Sequence, residues 1–258
     1  MAQRKVTAFV DSQERLTEDV YSMWIREEEM AAQAKPGQFI SVYTKDGAKL
    51  LPRPISICET SKETGMLRIV YRTVGAGTEE FSRYQAGDPV DIMGPLGNGF
   101  PLEEAAEGKT AFLIGGGIGI PPMLELAKQL RCKKEVILGY RDVLFLNEEF
   151  APYGEVVLAT EDGSAGTKGN VIDAIKENAL EADVIYACGP MPMLRALKAY
   201  AAEHDMDCFI SMEERMACGI GACLACVCKT KDKDAHSNVN NKRICKEGPV
   251  FDAKEVEL

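Results

Sequence analysis

Long apolar runs are missing from this chain. A membrane-spanning helix needs about 20 consecutive apolar residues. The longest candidate, "AFLIGGGIGIPPML", is shorter and is broken by glycines and prolines, so no membrane span is expected. No secretory leader is expected either, since "MAQRKVTAFV" passes straight into "DSQERLTEDV". The expected compartment is the cytosol. Basic charge is short: 30 Lys and Arg stand against 40 Asp and Glu, a formal net charge of -10. That balance speaks against nucleic acid or an anionic membrane as the main partner and reads as solubility. Internal repeats and low-complexity tracts are absent as well.

What is present suffices for a core. At 258 residues and 46% apolar composition, the chain has room for two ordinary domains and a small appendage. A chain this long does not need disulfides to fold. Its nine cysteines are an odd number, so complete internal pairing is impossible. In a reducing compartment, clustered cysteines bind metal or carry redox chemistry more often than they form bridges.

The first hundred residues read as short strands. "KVTAFVDSQ", "DVYSMWIRE", "GQFISVYT", "RPISICET", "MLRIVYRTV" and "DPVDIMG" are rich in Val, Ile, Tyr and Phe, with turn residues between them. "GTEEFSRY" reads as the one short helix. This spacing predicts a small antiparallel barrel or sandwich. Strands then alternate with helices: "TAFLIGG", "PPMLELAKQLR", "EVILGYRD", "EVVLAT", "NVIDAIKENA", "DVIYACGP", "MPMLRALKAYAAEH" and "DCFISMEE". That alternation predicts a parallel α/β sheet. From about Arg215 the chain is rich in Cys, Gly, Lys and Asn without a clear period. Something other than apolar burial is expected to organise it.

Two loops suit an anionic ligand. In "LIGGGIGIPPMLEL", Gly117, Gly119 and Pro122 take the places of a G-x-G-x-x-G fingerprint, with proline for the third glycine. Glycines let backbone approach a pyrophosphate, and the helix start supplies free N–H groups. A tight turn without a ligand is the plainer alternative. "YACGPMPML" repeats the arrangement at a second strand end. At a third, "ATEDGSAG", Glu161 and Asp162 could bond ligand hydroxyls or simply be solvated. No arginine cluster marks a 2′-phosphate site, so NAD is preferred over NADP. "LPRPISI" places Arg53 and Ser56 on a strand interrupted by Pro54. Proline is confined to edges and bulges, so this strand should face a cleft or solvent. Arg53 offers a planar fork for phosphate. Gly77 and Thr78, at a helix start after "VYRTVGA", offer a further anion-binding geometry, or an ordinary cap.

Cys218-x4-Cys223-x2-Cys226, with Cys245 farther on, matches the spacing of plant-type [2Fe–2S] proteins. The small residues between the first three let the chain wrap a cluster. Zinc sites usually pair cysteines as C-x2–4-C twice, which fits this spacing poorly. Cys228 could replace Cys226 or Cys245. Its spacing from Cys226 fits a strand whose side chains point alternate ways, and it is read as packing. Cys58, Cys132 and Cys208 are read as small core residues.

Taken in order, "RPIS", "GT" at 77–78, "GGGIGIPP", "CGPMPML" and "MACGIGACLACVC" resemble the electron-transfer subunits of dihydroorotate dehydrogenase B. The resemblance spans essentially the whole chain. Its front two domains resemble ferredoxin–NADP reductases more broadly. It implies an FAD-binding antiparallel β-barrel over 1–102, a Rossmann-like parallel α/β NAD-binding domain over 103–212 and a small [2Fe–2S] domain over 213–258. By resemblance, Arg53, Pro54, Ile55, Ser56, Val70, Tyr71, Arg72, Gly77 and Thr78 would line FAD. Gly115, Gly116, Gly117 and Gly119, with Cys188, Gly189 and Pro190, would receive NAD as substrate. Cys218, Cys223, Cys226 and Cys245 would ligate the cluster.

The resemblance further implies a partner, an FMN-containing dihydroorotate dehydrogenase catalytic subunit, in a heterotetramer of two plus two. Electrons would pass from that FMN through the cluster and FAD to NAD+, in pyrimidine biosynthesis. Homologous modules serve hydrogenases, ferredoxin-linked and glutamate synthase-like complexes, which is the alternative partner class. A zinc-binding interaction module would leave "RPIS" and the glycine loops unexplained. The chain departs from the superfamily's common R-x-Y-S at Ile55. The lysine-rich "KTKDKDAHSNVNNK" before Cys245 is expected to form an extra loop.

Overall fold

Runs rich in Val, Ile, Tyr and Phe between turn residues produce six strands in the first hundred residues. The computed structural model describes residues 4–233 and 238–258. Residues 234–237 of the expected lysine-rich loop lie outside them. The strands are β1 (Arg4–Arg15), β2 (Val20–Arg26), β3 (Phe39–Tyr43), β4 (Arg53–Ser61), β5 (Met66–Arg72) and β6 (Pro89–Leu96). They close into an antiparallel barrel in the order β1-β2-β5-β4-β3-β6. Ile40, Val42, Ile57, Leu67, Ile69 and Ile92 fill its interior.

Two short helices accompany the barrel, α1 (Glu28–Gln33) and α2 (Ala76–Phe81). The sequence reading expected only α2. Helix α1 escapes it because six residues hold too little period to recognise. Its start is fixed instead by the Glu27 side chain, which accepts from the Met30 N–H at 2.5 Å.

The α/β half comprises β7 (Thr110–Gly116), α3 (Pro121–Gln129), β8 (Lys133–Tyr140), β9 (Glu155–Thr160), β10 (Thr167–Lys168), α4 (Val171–Glu177), β11 (Val184–Cys188), α5 (Met191–Glu203) and β12 (Asp207–Ser211). In the tail follow β13 (Val227–Lys229), β14 (Asn241–Arg243) and β15 (Val250–Asp252). The main sheet runs β10-β9-β8-β7-β11-β12-β15. Only β15 is antiparallel, pairing with β12. The tail is thus held by apolar burial after all: Met216, Ile244, Phe251 and Val256 join the core under the sheet. This corrects the expectation that something other than burial organises it.

Barrel and sheet are locked together by polar contacts. On α3, Glu125 is 4% exposed and accepts from the Thr60 N–H at 2.8 Å and the Thr60 hydroxyl at 3.2 Å. Arg68 of β5 reaches Glu149 beyond β8 at 2.5 Å. Tyr186 donates to the Pro101 carbonyl at 2.7 Å. Removing the Glu125 carboxylate strands two buried donors of Thr60. Glu125→Ala should therefore cost about 2–3 kcal/mol of stability, read as a lower urea midpoint, with Glu125→Gln costing less.

Candidate flavin cleft and cysteine loop

Pro54 opens the site. On one side β4 pairs with β3 from Arg53 to Ser56, but its pairing with β5 begins only at Ile57. The missing proline N–H falls on the unpaired edge, as expected of an edge position. That edge borders a cleft of about 700 Å³, a size suited to a large cofactor. Arg53, Pro54, Ile55 and Ser56 line it, with Val70, Tyr71, Arg72 and Thr78 beside them. Ile118 of the glycine loop also borders it. The opposite wall is Ser211–Met216, which sequence reasoning missed. A signal existed: this segment leaves the carboxyl end of β12, and ligands of open α/β sheets sit at such ends.

The side chains divide their roles. Tyr71 turns inward and donates to Gln13 at 2.8 Å, so its backbone borders the cleft. Arg72 pairs with Asp19 at 3.0 Å. The Thr78 hydroxyl accepts from the Val74 and Gly75 N–H groups at 3.0 and 3.3 Å, closing the loop before α2. Gly77 lies against the Arg53 guanidinium. A Cβ there would sit 2.5 Å from Arg53 Cζ and 2.7 Å from Nη2. Glu213 is exposed on the cleft wall, and the protein atoms around it raise its carboxyl above the usual range by partial desolvation. Gly77→Ala should push Arg53 aside and, at about 1.5 kcal/mol for one lost charged hydrogen bond, lower FAD affinity about tenfold, measured as flavin content after gel filtration.

The two glycine-bearing loops meet at the carboxyl ends of adjacent parallel strands, where Gly115 registers with Cys188. Gly119 packs on the Cys188 carbonyl, and Gly189 on Gly116. Gly117 takes φ +54°, and a Cβ there would meet only open space, so its backbone is open to an approaching ligand. Of the four glycines only Gly117 is not buried. The Cys188 thiol is buried at 1% exposure, and burial raises its pKa, so the backbone of this loop is what a ligand can reach. Glu161 and Asp162 are exposed at the end of β9. Asp162 accepts from the Ser164 N–H at 2.9 Å.

In the tail the thiols form two pairs. Cys218 neighbours Cys223, and Cys226 neighbours Cys245. Peptide N–H groups point at the sulfurs: Gly221 to Cys245 Sγ at 3.1 Å, Ala222 to Cys218 Sγ at 3.3 Å and Cys245 to Cys226 Sγ at 3.4 Å. Burial opposes ionisation of Cys218, but the Ile220 N–H, the Cys223 thiol and further N–H groups outweigh it and bring the thiol down to about 6. Burial, reinforced by Cys226, pushes Cys245 up to about 12. Gly219 and Gly221 take φ +70° and +81°, which makes the tight loop possible. Among the described residues, no three His, Cys, Asp or Glu side chains converge on one ion. Two pairs are what a cluster with two cysteines per iron requires, so the residues fit [2Fe–2S].

Strand alternation does not explain Cys228. Cys226 and Cys228 are both buried, with Val227 exposed between them. Residues two apart share a strand face, so alternation does not separate them. The partners do: the Cys228 thiol donates to the Lys242 carbonyl at 3.5 Å. Cys58, Cys132 and Cys208 are buried core residues, as expected.

A closed antiparallel barrel, a parallel sheet behind it and a cleft between them define the ferredoxin–NADP reductase class of flavoproteins, here with an iron–sulfur tail. The profile described as "Oxidoreductase FAD-binding domain" matches residues 7–100, and "Iron-sulfur cluster binding domain of dihydroorotate dehydrogenase B" matches 213–257. A Bacillus caldolyticus protein named "Dihydroorotate dehydrogenase B (NAD(+)), electron transfer subunit" is 46% identical over 255 residues, covering 96% of this chain and 97% of its own. A protein of the same name from Bacillus cereus (strain B4264) is 43% identical over 262 residues, 99% of each chain. The chain belongs to the family of electron transfer subunits of dihydroorotate dehydrogenase B. It also resembles a solved structure of an NADH-dependent reduced ferredoxin-NADP oxidoreductase. There the TM-score is 0.86 at 28% identity, over 98% of this chain and 90% of that one. No helix among the described residues is long and apolar enough to cross a membrane.

Proposed function

We propose that this chain carries electrons from an FMN-containing, dihydroorotate-oxidising catalytic subunit to NAD+, through a [2Fe–2S] cluster and FAD. One observation carries the reading: the cleft and the cysteine loop are contiguous. Ser211–Met216 forms a cleft wall, and Cys218 follows two residues later. A bound FAD supplies the conversion between single electrons and a two-electron hydride. The protein supplies binding and orientation. Arg53 offers its guanidinium to phosphate, and the β4 edge from Arg53 to Ser56 and the β5 backbone from Val70 to Arg72 position the flavin. The glycine loop and the Cys188–Pro190 loop receive the nicotinamide dinucleotide beside it. Cys218, Cys223, Cys226 and Cys245 would hold the cluster.

In this reading the chain divides into an FAD barrel (1–102), an NAD domain (103–212) and a cluster domain (213–258) whose β15 is shared with the second sheet. It works in the cytoplasm as part of a two-plus-two heterotetramer. Coexpression with the catalytic subunit should give copurification and dihydroorotate-dependent NAD+ reduction. A catalytic subunit fully active on NAD+ alone, or a pair with no activity, would overturn the assignment. The likeness to the ferredoxin-NADP oxidoreductase structure favours a second reading, the same module in a ferredoxin-linked complex. Electrons from reduced ferredoxin but not from dihydroorotate would select it.

A further inference from the structure

Among the described residues, the Ser41 hydroxyl is fully buried and has no hydrogen-bond partner. Buried hydroxyls without partners are rare and call for an explanation. The other orphan, Glu135 Oε2, is less telling, because Glu135 Oε1 is bonded to Lys133 at 2.6 Å. Strand β3 alternates: Ile40 and Val42 enter the barrel core, while Phe39 and Met93 belong to the cluster of apolar residues outside it. Ser41 stands on that outer face, in register with Pro54 of β4 and Met93 of β6.

The cysteine loop covers it. A Cβ on Gly219 would sit 3.1 Å from Ser41 Oγ, 3.3 Å from Met93 Cε and 3.4 Å from Leu96 Cδ1. With φ at +70°, Gly219 lets the loop settle onto β3 directly after Cys218. A hydroxyl donor therefore lies at the base of the loop that holds the sulfurs, in otherwise apolar surroundings.

We propose that Ser41 donates its hydroxyl hydrogen to a sulfur of the iron–sulfur group held by the four cysteines, and so raises that group's reduction potential. A donor to sulfur disperses negative charge and favours the reduced state. The same strand lines the flavin cleft through Phe39. Strand β3 would therefore border both redox sites, and the packing of the loop on the barrel would set the potential of one of them. The inference rests on the cluster reading above.

The test uses the holoprotein with its catalytic subunit, an EPR-monitored redox titration and iron and FAD analysis. Ser41→Ala is expected to keep FAD and its potential while the cluster potential falls. Ser41→Thr, which retains a hydroxyl, should stay close to wild type. Resonance Raman spectra in D2O should show a deuterium-sensitive shift of the Fe–S stretching bands that Ser41→Ala reduces. Loss of iron in Ser41→Ala with retention in Ser41→Thr would support the same contact. An unchanged potential and deuterium shift in Ser41→Ala, or loss of iron in both variants, would overturn it. A wild-type protein with no iron–sulfur spectrum would overturn the cluster reading itself, and a normal cluster indifferent to Ser41→Ala would overturn only the role of Ser41.

Discussion

Cys245→Ser is expected to abolish the EPR signal of the reduced cluster and bring protein-bound iron to background, while Cys228→Ser leaves both near wild type. Cys245 is 1% exposed, and its N–H donates to Cys226 Sγ at 3.4 Å. Its sulfur accepts from the Gly221 N–H at 3.1 Å. Serine offers a shorter, harder donor atom where iron–sulfur chemistry needs soft thiolate. The Cys228 thiol instead serves the Lys242 carbonyl, a bond that a serine hydroxyl can also donate. Cys228→Ser should therefore cost no more than about 1 kcal/mol of stability. A reversed result, with iron lost in Cys228→Ser and kept in Cys245→Ser, would move the fourth ligand to position 228.

Gly119→Ala is expected to slow flavin reduction by NADH about 10²-fold, with flavin and iron content retained. A Cβ at this position would clash with the Cys188 carbonyl and lie 2.6 Å from the Gly189 nitrogen. Both are backbone atoms, so a whole loop must move to make room. The two loops that receive the dinucleotide would separate, and a displacement of about 1 Å at a reacting centre costs rates of that order. The defect should appear in single-turnover stopped-flow traces of flavin bleaching. Gly117→Ala differs, because its Cβ meets only open space. Its left-handed backbone costs about 1–2 kcal/mol with alanine, so part of its effect should be on stability. A Gly119→Ala protein that reduces flavin at the wild-type rate would show that the loop contact does not position the nucleotide.

Much of this was legible in the sequence because the signals are local. The barrel strands show as β-branched and aromatic runs between turns, and α3 and α5 as apolar residues at helical spacing. The cysteine spacing likewise depends on a few neighbouring residues. Long-range features were less legible. Nothing near Val250 says that three residues will cross to β12 and close the sheet edge. Strands β13 and β14 are three residues each, too short for a period. The cleft wall at Met212–Met216 reads as the frayed end of a strand until the barrel stands opposite it. Ser41 looks like any polar residue in a strand, and its isolation exists only once Gly219 lies on top of it. Cys228 is set apart from the other thiols by its Lys242 carbonyl partner, a contact made across the β13–β14 pair that strand alternation does not reveal.

Cleft and cysteine loop are proposed to form one electron path within this chain. Mixing the holoprotein anaerobically with NADH, following flavin absorbance and freezing samples for EPR, decides it. The expected result is flavin bleaching followed by a reduced [2Fe–2S] signal, with the second step lost in Cys245→Ser and the first preserved. A cluster that stays oxidised while the flavin is fully reduced, or that is reduced with the flavin absent, would contradict it.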